Sequence, residues 1–152
     1  MPAGCSPAAG VLYKSVMSQA DGSMQDIPVL DCVANMQVVL GWNTTGDPAG
    51  NAVDTYTDAA GKLPSGTSNT ADLLLLDPKE IRTRLKLIKV YILAQDGGFD
   101  RNYNNTNTAL RVGEAGETGA VGPENIVDLT ATNFRHYRWK LHRLVVRPKN
   151  LI

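Results

Sequence analysis

The stretch from Gly41 to Tyr56 gathers the side-chain oxygens of Asn43, Thr45, Asp47 and Asp54 around the turn-forming Gly46 and Gly50. Oxygens at that density suit a hard cation such as calcium, which takes about six to eight of them. Only two of the four are carboxylates, and Pro48-Ala49 interrupts the run where a tight loop would continue. The pattern therefore predicts a structural turn with at most weak calcium affinity, and no other cofactor is expected. Cys5 and Cys32 are the two cysteines of the chain. One disulfide or two free thiols both satisfy the sequence, and a bridge would contribute about 2 to 4 kcal/mol by restricting the unfolded chain. His136 and His142, the two histidines, read as lying on one face of a single strand. At about 3.3 Å per residue they are too far apart for one tight metal site, so they are expected to be solvated.

The chain has no Gly-x-Ser-x-Gly, no phosphate-binding glycine loop ending in Lys-Ser/Thr, no Cys-x-x-Cys and no His-Glu-x-x-His. Its carboxylates are scattered. The glycine-rich stretches Gly97-Gly98 and Gly113 to Gly119 do not sit between a strand and a helix as a nucleotide loop would. No catalytic residue is assigned, and the chain reads as a binding or assembly protein rather than an enzyme.

Composition sets the frame for these groups. With 152 residues, 43% hydrophobic and 20% charged, the chain is long enough for one domain with its own core and too apolar for disorder. Lys+Arg and Asp+Glu both number 15, so net charge attracts neither nucleic acid nor an anionic membrane. The charges are unevenly placed. Residues 1 to 76 hold two basic side chains against seven acidic ones, and residues 77 to 152 hold thirteen against eight, which gives −5 and +5; chance with a solvated face is the first reading of this asymmetry, and a dipolar subunit that stacks head to tail is the second. No run of 18 apolar residues and no signal peptide is present.

The elements that must position these residues are mostly strands. Val11, Leu12, Val16 and Met17 suggest a short helix or strand before a turn at Asp21-Gly22-Ser23. Apolar alternation from Asn35 to Trp42 predicts a strand, and Val53 to Thr57 its returning partner in a hairpin. Residues 60 to 70 read as surface loop. Asp77-Pro78-Lys79-Glu80 predicts an N-cap with proline at the first position of a short helix. Leu85 to Ala94 is the best buried strand, 96 to 123 a long loop excursion with at most one short hairpin, and Asn133 to Val146 a half-buried closing strand. The expected core is Met36, Val38, Leu40, Leu87, Val90, Ile92, Trp139, Leu141 and Val145. The closing strand carries Arg135, Arg138, Lys140, Arg143, Arg147 and Lys149 beside Tyr137 and Trp139. That mix suits single-stranded nucleic acid, and it equally suits an edge strand guarded against unwanted pairing, which is the expectation taken here.

Three of these segments carry a resemblance. DCVANMQVVLGWNTTGDPAGNAVDTY, from Asp31 to Tyr56, resembles the part of PilW-type minor pilins where Val-x-Asp-Leu-Gln-Val runs into Gly-x-Asp-Thr-Asp-Gly-Asp-Gly and then Val-Asp-x-Tyr. IRTRLKLIKVYILAQ, Ile81 to Gln95, is similar to their next, arginine-bearing strand, and YRWKLHRLVVRPKNL, Tyr137 to Leu151, to their closing strand ending in Arg-x-x-Asn. The chain departs from the family at Asn43 and Thr45, which stand where the family loop has aspartates. It also lacks the prepilin cleavage site and long apolar helix, and is expected to be the globular part that follows them.

The resemblance implies an α+β pilin-like head with a mainly antiparallel sheet, spanning residues 1 to 152 as one domain. It implies a structural role in a type IV pilus or related type II secretion pseudopilus, through contacts with other minor and major pilins in a priming or tip complex. It implies export to the periplasm, anchoring in the inner membrane only through the N-terminal helix, and a final place on the cell surface, with no nucleic-acid partner. Passage through an oxidising compartment in turn implies that Cys5 and Cys32 are bridged. The surface that would pack on the helix is expected to be an exposed apolar patch or to be covered by residues 11 to 20. A rival reading is an extracellular ligand-binding or adhesive module in which Trp42 and residues 96 to 123 form a carbohydrate or surface-contact site.

Overall fold

A computed structural model describes residues 3–44, 50–59, 77–113, 124–130 and 134–148. Its elements are strands β1 (Gly10–Met17), β2 (Met24–Trp42) and β3 (Thr55–Asp58), helix α1 (Pro78–Arg84), and strands β4 (Leu85–Asp96), β5 (Ala109–Gly113), β6 (Glu124–Asp128) and β7 (Arg138–Val146). A 3-10 turn, Phe134–His136, precedes β7. One sheet has the order β1-β2-β4-β7 with β3 also paired to β2, and β5 pairs with β6 in a second. The fold is mostly antiparallel β-sheet, with one α-helix among the described residues. The chain falls into two compact units, one of Met1–Asn35, Ile92–Leu110 and Val127–Leu141, the other of Met36–Tyr91, Arg111–Ile126 and His142–Ile152.

In the first unit β1 and β2 form an antiparallel ribbon closed by a turn at residues 18 to 23. Asp21 accepts from the backbone N–H of Ser23 at 3.1 Å and from its hydroxyl at 2.8 Å, and Gly22 takes φ 71, which suits glycine. From Met17↔Met24 to Tyr13↔Pro28 the register is regular. Beyond that it slips. Between Tyr13↔Pro28 and Leu12↔Leu30, and again between Leu12↔Leu30 and Gly10↔Val33, β2 advances one residue more than β1, so the strand bulges twice. Pro28 stands at the first slip, where a strand tolerates a residue with no N–H to donate. Cys32, with φ 57, stands at the second. Residues 11 to 17 thus lie beside β2 as a strand rather than across a sheet face.

The disulfide expected from the resemblance is present. Cys5 and Cys32 are bridged with Cα atoms 5.1 Å apart. A second anchor was not legible in the sequence: the Gln95 carboxamide accepts from Ser6 N at 2.7 Å and donates to the carbonyls of Gly4 at 2.8 Å and Gly97 at 2.6 Å. One side chain therefore ties the N-terminal segment to the end of β4.

In the second unit β2 and β3 pair antiparallel from Val39↔Asp58 to Trp42↔Thr55, the hairpin anticipated from alternation. Asp77 caps α1 by accepting from Lys79 N at 2.8 Å, and Pro78 occupies the first turn. Leu40, Trp42 and Leu85 form a core cluster, with Val38, Ile81 and Ile88 packed against it. Trp42 is fully buried, and its indole N–H donates to the Thr57 hydroxyl at 2.9 Å. Burying such a side chain stabilises by roughly 5 kcal/mol, provided that the N–H finds a partner. Gly41 is needed beside it, because a Cβ there would meet Leu87 Cβ and Val53 Cγ1, each at 3.0 Å.

The core differs from the expected list. Leu40 and Leu87 are buried, and Val38, Val90, Ile92 and Trp139 are half-buried. Met36 is 42% exposed, Leu141 45% and Val145 51%. The reason in β7 is its place at the end of the sheet order, which leaves residues 140 to 147 exposed in both alternation phases. In β4 the buried phase is Leu85, Leu87, Lys89, Tyr91 and Leu93, opposite to Val90 and Ile92. Lys89 is kept in this phase by placing its ammonium 4.7 Å from the centre of the Tyr56 ring. Within the expected 96–123 excursion lies β5, which pairs with β6 just beyond its end; residues 114–123 lie outside the described residues, as do 60–70.

Two consequences follow for stability. Reducing the disulfide, or replacing Cys5 with Ser, is expected to lower the unfolding free energy by about 3 kcal/mol in urea titration; an unchanged midpoint would contradict a stabilising bridge. Gly41→Ala is expected to cost about 1 to 3 kcal/mol by overpacking against Leu87 and Val53, whereas Gly98→Ala, where nothing lies within 4 Å of the added carbon, should be nearly neutral.

Candidate functional site

The proposed oxygen-rich loop is described only at its root, since Thr45 and Asp47 lie outside the described residues. There the chain's own donors meet its oxygens. The Asp54 carboxylate accepts from Thr44 N at 2.9 Å through both oxygens and from the Thr44 hydroxyl at 2.8 Å. Asn43 is buried, and its amide donates weakly to Gly50 O at 3.4 Å. Backbone bonds of 2.9 Å, Asn43 N to Arg84 O and Asp54 N to Trp42 O, close the root.

Arg84 joins this loop to α1. Its Nη1 donates to the carbonyls of Asn43 and Thr44, each at 3.2 Å, while its Nε pairs with Glu80 one helical turn earlier. These are the groups a turn needs, since carbonyls facing inward must find donors. Asn43 and Asp54 thus come together as a structural closure. Among the described residues no three His, Cys, Asp or Glu side chains gather as a metal site.

A second constellation, in the first unit, was not assembled from the sequence. Residues 96 to 108 leave β4 and are latched along their length. Asp100 N donates to His136 O at 3.0 Å, Asn105 N to Arg135 O at 2.8 Å, and Leu129 N to Thr108 O at 2.8 Å. Side chains reinforce the latch. Arg135 Nε donates to Asn105 O at 2.8 Å, and the ring nitrogen Nδ1 of His136 donates to Tyr103 O at 2.8 Å. Arg138 donates to Asp100 Oδ2 at 2.8 Å and lies 4.6 Å from the centre of the Tyr103 ring.

Two expectations change here. His136 belongs to the 3-10 turn and is half-buried, whereas His142 is exposed on β7, so the pair does not share a strand face. Of the basic stripe, Arg138 is exposed as expected, whereas Arg135 is half-buried, and both hold the loop. Trp42, the aromatic of the rival ligand site, is buried and unavailable. Among the described residues of 96–123 the exposed aromatic is Phe99, 49% exposed and resting on His136 at 5.2 Å and Tyr137 at 5.5 Å between ring centres. The signal available in sequence was a single aromatic placed just after Gly97-Gly98 and before a run of amides.

Asp100 reports the latch. The Arg138 hydrogen bond, followed by that of Asn102 N, holds its carboxyl below the ordinary value of 3.8. A lowered carboxylate stabilises the fold above pH 3.8 and loses that contribution as pH falls through its own lowered value. NMR titration of the Asp100 carboxyl carbon is expected to give a midpoint below 3.8, moving upward in Arg138→Met. Equal midpoints in the two proteins would show that Arg138 is not the cause.

Comparison with protein-family models, with curated proteins and with solved structures gives no significant match.

Proposed function

We propose that this chain is a minor-pilin-like assembly protein of a bacterial type IV pilus, acting through protein–protein contacts in a priming or tip complex with other pilins. The observation that carries the reading is the way two of the pilin-like segments meet. Arg84, from Ile81–Gln95, closes the loop root of Asp31–Tyr56 by holding the carbonyls of Asn43 and Thr44. Both segments thus contribute to one closure, which supports the reading.

Other features agree with it. The disulfide is compatible with an exported protein. The β1–β2 ribbon exposes apolar side chains in both alternation phases. Met17 and Met24 are cross-strand partners, 63% and 61% exposed, and Val16 and Ile27 occupy the opposite phase. Among the described residues β1 pairs only with β2, which leaves its outer edge open to a neighbouring subunit. A second reading, an extracellular ligand-binding module, is favoured by the exposed Phe99.

Deleting the gene in its native host is expected to reduce surface pili several-fold by electron microscopy. A Met17→Lys/Met24→Asp variant, which places opposite charges at this cross-strand pair, should behave likewise while the purified domain keeps its melting temperature. Wild-type piliation in the deletion strain would rule the role out.

A further inference from the structure

Segment 96–107 combines a fixed backbone with an outward apolar ring. Its backbone is held by His136 O and Arg135 O, and its own carbonyls at Tyr103 and Asn105 are held by His136 Nδ1 and Arg135 Nε. Inside the loop, Asp100 Oδ1 accepts from Asn102 N and Asn105 Oδ1 from Asn107 N, each at 3.0 Å. A loop latched this way has little freedom left to lose on binding, which is the condition for a preformed site.

The contents of the loop select among ligands. Tyr103 is half-buried next to Arg138, so Phe99 is its exposed aromatic. The same segment carries Arg101, Asn102, Asn104, Thr106 and Asn107, all exposed and all able to exchange hydrogen bonds with hydroxyls. An apolar protein surface would find one apolar contact here and several polar groups to desolvate, an unfavourable exchange. A hydroxyl-rich ligand with one apolar face meets both requirements.

We propose that Phe99 is the stacking platform of a saccharide site that takes a gluco-configured pyranose. In such a sugar the ring hydroxyls are equatorial and the axial C–H bonds form flat faces, one of which can lie on an aromatic ring. The supports of Phe99 leave room for it: His136 is tilted at 54° and Tyr137 meets it edge-on at 69°, so neither ring stacks over it in parallel. Asp100, the next residue after Phe99, and its partner Arg138 supply a carboxylate acceptor and guanidinium donors, the groups that hydrogen-bond sugar hydroxyls. This binding role is separate from the assembly role and does not rest on it.

The test is a titration of the whole chain with cellohexaose and, in parallel, chitohexaose, followed by amide and side-chain NMR. Saturable shifts at Phe99, Asp100 and Arg138 in the millimolar range are expected with at least one probe. Phe99→Ala and Phe99→Leu should each weaken binding about tenfold or more, and Phe99→Trp should retain it. Because the ring is half exposed, all three variants should keep a dispersed spectrum, and Phe99→Trp the wild-type melting temperature. Absence of saturable shifts with both sugars, saturable shifts centred elsewhere, or equal binding by Phe99→Leu would each overturn the assignment. The leucine variant separates a ring face from mere apolar bulk.

Discussion

The backbone of β2 carries the ladder to β1 from Met24 to Val33 and the ladder to β3 from Val39 to Trp42, and β4 is its next neighbour in the sheet order. A single strand serving three partners cannot slip in register without moving side chains to the wrong face along all of them. Its 19 residues meet this constraint in two ways. Toward the C-terminal end Val39, Leu40, Gly41 and Trp42 are all buried, so packing fixes the register. Toward the N-terminal end almost nothing is buried, and there the register rests on two bulges and a covalent bridge at Cys32.

Away from the sheet, charged and amide side chains serve backbone groups more than one another. Arg84 holds two loop carbonyls, Arg135 one, Gln95 two carbonyls and an N–H, and Asp77 a helix N–H. Each is a solution to the same accounting problem, since an inward-facing carbonyl or N–H without a partner costs about 1 to 3 kcal/mol. It also gives a structural role to residue types that in other settings contact ligands. An arginine between aromatics looks like a nucleic-acid contact, and an aspartate in a glycine-rich loop looks like a metal ligand. Asp54 is spent on Thr44, and Arg138 on Asp100.

What the sequence made legible was local. The β2–β3 hairpin followed from alternation at Val38 and Leu40, the helix from Asp77-Pro78, and β4 from its apolar run, because each signal lies within a few residues. The N-terminal half of β2 was not legible, since the bulges around Pro28 and Cys32 break the two-residue period that announces a strand. The face of β4 was misread because Lys89 and Tyr91 occupy buried positions where a lysine would be expected outside. The 96–107 latch was invisible for a different reason: its partners, Arg135, His136 and Arg138, are about 30 residues or more away from the groups they hold.

The remaining open surfaces differ in how they treat a neighbour. β7 exposes Leu141, Leu144, Val145 and Val146 but intersperses Lys140 and Arg143, and Arg147 follows the strand, so another strand approaching this edge must desolvate or pair these charges. The ribbon carries a single lysine, Lys14, on β1, and its acids at Asp21, Asp26 and Asp31 lie in the turn and on β2. Exposed methionines at Met17 and Met24 add flexible, polarizable contact area without a fixed shape. Apolar contact at the ribbon would thus carry little desolvation penalty, whereas contact at β7 would require its charges to be paired.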